Sequence, residues 1–282
     1  MRAVVLGATG HIGAHIVRAL LADGHRVRAA YRSTRFLSVL DGLSIERVRV
    51  DLDTLQGLAE ALEGCDWVFH AAGYYPPLFG RRRHAVAQGV EATRRLIDAL
   101  HRARPHRIVF TSSAATLQGG GPRPLYAAVK RAMEHEMVGA CATGLPAVIV
   151  NPSVCLGEYD AHRFSGRLIL VCAKHPWLFS MDGAFNAIYT GDVGVGHVRA
   201  AERGRVGERY ALTSRHISLR AFAELVARAT GAKPARWRLP WRVHPSQPLD
   251  GAMAIRELSV PQTPIEEAVR RAVDWFRRVG YL

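Results

Sequence analysis

A short apolar run, Ala3-Val4-Val5-Leu6, passes directly into Gly7-Ala8-Thr9-Gly10-His11-Ile12-Gly13. A helical pattern follows, with Ile12, Ile16, Leu20 and Leu21 on one side and Gly24 where a helix C-cap belongs. Three glycines between a strand and a helix restrict the fold more than any other stretch of the chain. They let the backbone turn tightly and approach a pyrophosphate, whose charge then rests on the helix N-terminus. A glycine triplet alone is a weak sign, but here it stands in the context that dinucleotide binding requires.

The rest of the first half repeats this alternation. Strand-like stretches at 26–31, 47–50, 66–71, 107–112 and 147–150 interleave with helix-like ones at 55–62, 84–102 and 126–141. The pattern predicts a parallel sheet covered on both faces, an α/β doubly wound (Rossmann) fold. Beyond Asn151 it loosens. Strands are expected at 188–193 and 208–212, a helix at 219–230, an irregular proline-punctuated stretch at 234–248, and a last helix at 265–279 ending at Gly280. The expected organisation is a nucleotide-binding domain over 1–154, with 185–213 returning to it. Residues 155–184 and 214–282 then make a small substrate lobe.

Tyr126-Ala127-Ala128-Val129-Lys130 places a phenol and an ammonium four residues apart on a helix, hence on one face. A free tyrosine, with a pKa of roughly 10, exchanges protons poorly at neutral pH. A cation one turn away favours the phenolate and brings it toward working range.

Composition narrows the partners. A formal net charge of +14 comes from 38 Lys+Arg against 24 Asp+Glu, and only Lys130, Lys174 and Lys233 are lysines. Arginine excess of this kind reads first as codon bias in a GC-rich genome and second as attraction to an anionic substrate, partner or membrane surface. The basic residues are dispersed and no nucleic-acid motif accompanies them, which disfavours nucleic acid. Cys65, Cys141, Cys155 and Cys172 are far apart with no metal-ligand spacing, so no metal is expected and free thiols in a reducing cytoplasm are the default. The N-terminal run reads as a core strand rather than a signal peptide, and no apolar stretch is long enough to span a bilayer. The expected location is cytoplasmic, without membrane insertion.

Taken in order, the glycine turn, Thr111-Ser112-Ser113 at a strand end and Tyr126-x-x-x-Lys130 resemble the extended short-chain dehydrogenase/reductases of the NAD-dependent epimerase/dehydratase superfamily. Further matches are Asp51-Leu52, His70-Ala71-Ala72-Gly73, Asn151-Pro152-Ser153 and the C-terminal Ala272-Val273-Asp274-Trp275-Phe276-Arg277 with Gly280-Tyr281-Leu282. The resemblance covers essentially the whole chain. It is strongest to the dihydroflavonol 4-reductase, 3β-hydroxysteroid dehydrogenase and hopanoid-associated epimerase branch.

The resemblance implies a catalytic set of Ser113, Tyr126 and Lys130. Ser113 would polarise the substrate oxygen, Tyr126 would pass the proton, and Lys130 would hold the nicotinamide ribose. It implies cofactor contacts from Gly7, Thr9, Gly10, His11, Ile12, Gly13, Arg32, Asp51, Leu52, Ala71, Ala72, Gly73, Thr111, Tyr126, Lys130, Asn151, Pro152 and Ser153. Two departures stand out. Ser113 and Tyr126 are only 13 residues apart, and the usual Asn-Val-x-Gly-Thr appears as Gly89-Val90-Glu91-Ala92-Thr93.

After the second strand the chain offers Tyr31-Arg32-Ser33-Thr34-Arg35, with no acid before Asp41. An arginine there suits a 2′-phosphate, so NADP(H) is expected to be preferred, with NAD(H) possible. Tyr74, Tyr75 and the apolar stretch after them, together with Ser113, Cys155 and Phe164, are candidate substrate contacts for a ring-bearing or isoprenoid small molecule. The expected activity is interconversion of a secondary alcohol and a ketone. A nucleotide-sugar epimerase is the alternative within enzymes, and an NADP(H)-sensing protein without catalysis the alternative outside them. The family habit of pairing two long helices implies a homodimer.

Overall fold

A computed structural model describes residues 1–74, 76, 81–118, 123–175, 182–232 and 246–282. The expected substrate contact Tyr75 and nearly all of the irregular stretch at 234–248 lie outside the described residues. The first half runs β1 (Arg2–Leu6), α1 (His11–Ala22), β2 (Arg26–Tyr31), β3 (Glu46–Arg49), α2 (Leu58–Leu62), β4 (Trp67–His70), α3 (Arg82–Ala103), β5 (Arg107–Thr111), α4 (Pro124–Ala142) and β6 (Ala147–Pro152). It continues with β7 (Val154–Leu156), α5 (Arg167–Lys174), β8 (Ala184–Tyr189), α6 (Thr190–Arg203), β9 (Arg209–Leu212), β10 (Arg215–Ser218), α7 (Leu219–Thr230), α8 (Ala252–Leu258) and α9 (Ile265–Arg278).

Seven strands form one sheet in the order β3-β2-β1-β4-β5-β6-β9, and every pair in it is parallel. Successive side chains of a strand leave on opposite faces. Val5 of β1 and Val148 and Val150 of β6 therefore join one core with Ile16, Leu20 and Val193. Val4 and Leu6 with Ala147 and Ile149 join the other, with Leu100, Val129 and Met137. Being buried on both faces, these strands read as continuous apolar runs. The order reverses between β1 and β4, and ligands of open α/β sheets bind in the crevice at such a reversal.

At Ser153 the chain leaves this sheet for a second one, β10-β8-β7. Two expectations need correction here. The strand placed at 188–193 ends at Tyr189, and Thr190 opens α6. Strand β8, placed within the 185–213 return to the nucleotide-binding domain, pairs instead with β7 and β10, while β9 joins the main sheet. Helix α6 hides its period because it meets α1 through a glycine. A Cβ at Gly194 would stand 2.6 Å from the His15 carbonyl oxygen of α1. The helix expected from residue 55 starts at Leu58, since Leu55 and Gly57 both take positive φ (63° and 74°) and cannot continue a right-handed turn.

Candidate functional site

The glycine turn follows β1 directly. Gly7 has φ +86°, and a Cβ on it would lie 2.8 Å from the Ala72 backbone nitrogen, so the chain after β4 runs hard against the turn. At Gly13 a Cβ would lie 2.1 Å from the Gly7 carbonyl oxygen, so α1 packs onto the turn with no space for a side chain. A Cβ at Gly10 meets only the Gly7 oxygen, at 3.2 Å, and the position is otherwise open. Gly7 and Ala8 N–H both donate to the Ala30 carbonyl (3.1 and 3.0 Å), which pins the turn to β2. Helix α1 then begins with no side-chain cap and no acid in its first turn. Its N-terminal N–H groups and positive dipole end stay available to an anion.

The arrangement fits a dinucleotide. Arg32 lies just beyond β2, highly exposed and 3.3 Å from the Asp53 carboxylate. The Asp51 carboxylate accepts from the N–H groups of Asp53 (2.8 Å) and Thr54 (3.3 Å), shaping the loop beside it. Leu52 packs on the second core, Ala72 borders the turn and Ala71 packs on the first core. Thr9 and His11 are buried, and Ile12 packs on the first core. At the far end of the sheet, the buried Asn151 Oδ1 and Ser153 Oγ lack hydrogen-bond partners among the described residues, as suits an edge where a polar group docks.

Helix α4 carries the expected Tyr126 and Lys130 on one face. Lys130 is 2% exposed, and its ammonium stands 3.4 Å from the Thr111 carbonyl oxygen. Burial pulls it down to about 8, and the Glu134 carboxylate one turn further on opposes that fall. Tyr126, one turn back on the same helix, is half-buried at the outer end of this row. Ser113 heads a short 3-10 turn over Ala114–Thr116 that packs against α4, and its Oγ accepts from Ala115 N–H (3.3 Å). The other two hydroxyls of the triplet turn inward. Thr111 Oγ1 lies 2.9 Å from His197 Nε2, whose Nδ1 lies 2.7 Å from the Val193 carbonyl. Ser112 Oγ donates to Glu134.

Glu134, absent from the set read in the sequence, is the hub of the strand ends. Its Oε2 also accepts from Thr116 Oγ1 (2.8 Å) and Asn151 Nδ2 (2.7 Å), and Oε1 pairs with Arg209 (3.3 Å). Asn151 Nδ2 is thus engaged with the protein, while Pro152 ends β6 buried. His70, also missed as a participant, stacks on Phe110 (5.2 Å, 2°) and is held down to about 3 by burial and by the Lys130 charge. Under α1, His11 faces Asp160 at 3.8 Å; burial lowers its pKa and the Asp160 charge opposes that.

On the substrate side, Tyr74 donates to Gln88 (2.6 Å). Phe164 is partly exposed with the Arg123 guanidinium 4.9 Å from its ring. Cys155 is buried in the core, its thiol pushed up to about 12 by desolvation, so it stays protonated and supplies bulk rather than chemistry. All four cysteines are free thiols. Among the described residues no helix is long and apolar enough to cross a membrane.

Known proteins agree with this geometry. The model of the NAD dependent epimerase/dehydratase family matches residues 3–212. Sterol demethylase protein B of Methylococcus capsulatus is 30% identical, with all of both chains covered. A 4-hydroxy-2-methyl-3-oxo-4-farnesyl-3,4-dihydroquinoline-1-oxide ketoreductase of Stigmatella aurantiaca is 29% identical over 86% of this chain and 77% of its own. The crystal structure of a nucleoside-diphosphate-sugar epimerase from Pseudomonas aeruginosa superposes with a TM-score of 0.84 at 27% identity, covering 100% of this chain and 99% of that one. With its glycine turn, its seven-stranded parallel sheet and its Tyr126/Lys130 row, the chain belongs to the NAD dependent epimerase/dehydratase family of extended short-chain dehydrogenases/reductases, enzymes that work with a pyridine nucleotide.

Proposed function

We propose that the protein is an NADP(H)-dependent oxidoreductase that interconverts a secondary alcohol and a ketone on a fairly apolar, ring-bearing or isoprenoid-type small molecule. The observation that carries the reading is the row on α4, where a buried lysine with an ammonium pKa near 8 stands one turn from Tyr126. A positive charge there favours the phenolate, which is the form that can take a proton near neutrality.

A nicotinamide cofactor bound with its diphosphate at the glycine turn would supply or accept the hydride. The chain does the rest. Ser113 donates a hydrogen bond to the reacting oxygen and orients it, while Tyr126 Oη gives that oxygen a proton in one direction and removes it in the other. Lys130 holds the charge that sets the phenol's acidity and reaches toward the nicotinamide ribose. Gly7, Gly10 and the first N–H groups of α1 hold the diphosphate. Arg32 selects a 2′-phosphate, turning from Asp53 to meet it. Tyr74 and Phe164 make the aromatic side of the substrate site. The sterol and farnesyl-quinoline names of the relatives support an apolar substrate. The same reading carries a homodimer through α3 and α4 and a cytoplasmic setting.

A nucleotide-sugar epimerase is the second reading, favoured by the Pseudomonas aeruginosa structure. Purified protein offered NADPH or NADH with a panel of cyclic and isoprenoid ketones separates the two. Ketone-dependent oxidation of NADPH, favoured over NADH and reduced roughly 100-fold or more by Tyr126→Phe, is the expected result. Cofactor retained through purification together with turnover of a nucleotide sugar establishes the epimerase. NADPH binding without turnover of any substrate establishes a sensing role.

A further inference from the structure

Tyr126, Lys130 and Glu134 recur every four residues along α4, which puts all three on one face. Glu134 is 3% exposed. An ionised carboxylate only accepts hydrogen bonds, and every neighbour of this one brings a donor: Ser112, Thr116, Asn151 and, from the half-exposed end of β9, Arg209. Two of these donors bracket Ser113, with Ser112 before it and Thr116 at the end of its 3-10 turn. The third comes from the end of β6, whose Asn151 Nδ2 also reaches the Ser113 carbonyl at 3.3 Å.

We propose that Glu134 is a positioning residue that keeps Lys130 in its ammonium form and anchors the Ser113 turn to α4. This rests on reading Tyr126 and Lys130 as the acid–base pair. Titratable groups face Lys130 from two elements. Tyr126 and Glu134 lie on its own helix, and His70 comes from β4 and stays neutral; Arg209 of β9 acts through Glu134. Among these, Glu134 is the group that raises the lysine toward its ordinary value while burial lowers it. Without that negative charge Lys130 sheds its proton at or below working pH, and the phenol loses the cation that makes it acidic.

Three lysines in the whole chain make the test direct. Protein carrying 13Cε-labelled lysine is titrated by NMR without cofactor or substrate, with Lys174→Arg and Lys233→Arg used to assign the signals. Lys130 in the unaltered chain should titrate at about 8. Glu134→Gln should move that midpoint down by roughly one pH unit or more. Thr116→Val takes one hydrogen bond from the carboxylate but keeps its charge, and should leave the midpoint in place. Arg209→Met, at a more exposed position that folding tolerates, should move it up by unmasking Glu134.

A midpoint unmoved by both Glu134→Gln and Arg209→Met overturns the proposal, as does an equal fall in Thr116→Val. The titration needs no turnover, so it is independent of the oxidoreductase reading. A fixed midpoint alongside turnover abolished by Tyr126→Phe sinks this inference alone. A moved midpoint alongside turnover indifferent to Tyr126→Phe sinks the acid–base reading instead. In an active enzyme, the alkaline limb of the kcat/KM profile should follow the midpoint downward in Glu134→Gln.

Discussion

Replacing Lys130 by methionine should make the protein more stable while abolishing its chemistry. The lysine ordinarily loses its proton at 10.5 and in the folded chain at about 8. At about 1.4 kcal/mol per pH unit, that difference amounts to about 3 kcal/mol by which the buried ammonium destabilises the fold at neutral pH. Methionine fills the methylene space of the lysine stem and removes the charge. It also removes the contact with the Thr111 carbonyl, about 1 kcal/mol, while the attraction to Glu134 is already contained in the pKa difference. A net gain of about 2 kcal/mol at pH 7 follows from those two magnitudes. The gain depends on pH in a definite direction. Between about 8 and 10.5 the unfolded chain keeps a proton that the folded chain has released, so the stability of the unaltered protein climbs through that window. The variant has no such climb, and its advantage should be gone by pH 10.5. Urea denaturation followed by tryptophan fluorescence, at pH 7 and again at 10.5, measures both points. A variant less stable than the parent at pH 7, by an amount that does not change with pH, would show that the ammonium is well solvated or fully paired, and would refute the reasoning. Such trade-offs between stability and chemistry are expected where a charge is held in the dry.

Gly13→Ala places a methyl 2.1 Å from a backbone oxygen, so α1 must lift off the turn. We expect a loss of about 1–3 kcal/mol and of NADPH binding by fluorescence titration, whereas Gly139→Ala, with open space around its Cβ, should bind normally and gain stability. Acid should unfold the protein early, because burial holds His70 and His197 down to about 3 and about 4. Below pH 6.5 the unfolded chain takes up protons that these two refuse, which removes about 2 kcal/mol for each by pH 5; equal denaturation midpoints at pH 7 and 5 would contradict it.

The first half of the chain was legible because its local chemistry and its global role coincide. Gly7 and Gly13 are required by positive φ and by close approach, and the apolar runs of β1, β5 and β6 are what strands buried on both faces need. Helix α6 was misread for the opposite reason. Gly194 meets the α1 backbone at His15, and Gly196, on another side of the helix, meets Leu212 and Val260; glycines carry little hydropathy signal. Asp53 escaped notice as a partner of Arg32 because they are 21 residues apart in sequence and meet only where β2 and β3 end side by side. Glu134 sits in Met133-Glu134-His135-Glu136, a stretch that reads as a solvated face. The signal that could have found it is the spacing of four from Lys130 and eight from Tyr126, which only one face of the helix satisfies.

A close helix contact also explains Gly89, which stands where the motif this stretch resembles has an asparagine. Gly89 lies on α3 against α4, and a Cβ there would stand 2.9 Å from Val129 Cγ1 and 3.3 Å from Met133 Cγ. Those two residues flank Lys130 in sequence, one before it and one a turn beyond. A larger side chain at 89 would meet Val129 and Met133 and hold the helices apart. Glycine lets α3 settle onto α4 and close that side with Val129 and Met133, both buried. Desolvation is the larger influence on Lys130. The close contact of α3 and α4 at Gly89 thus leaves Val129 and Met133 buried on either side of Lys130 in sequence, and Glu134 is the group that opposes the lysine's desolvation.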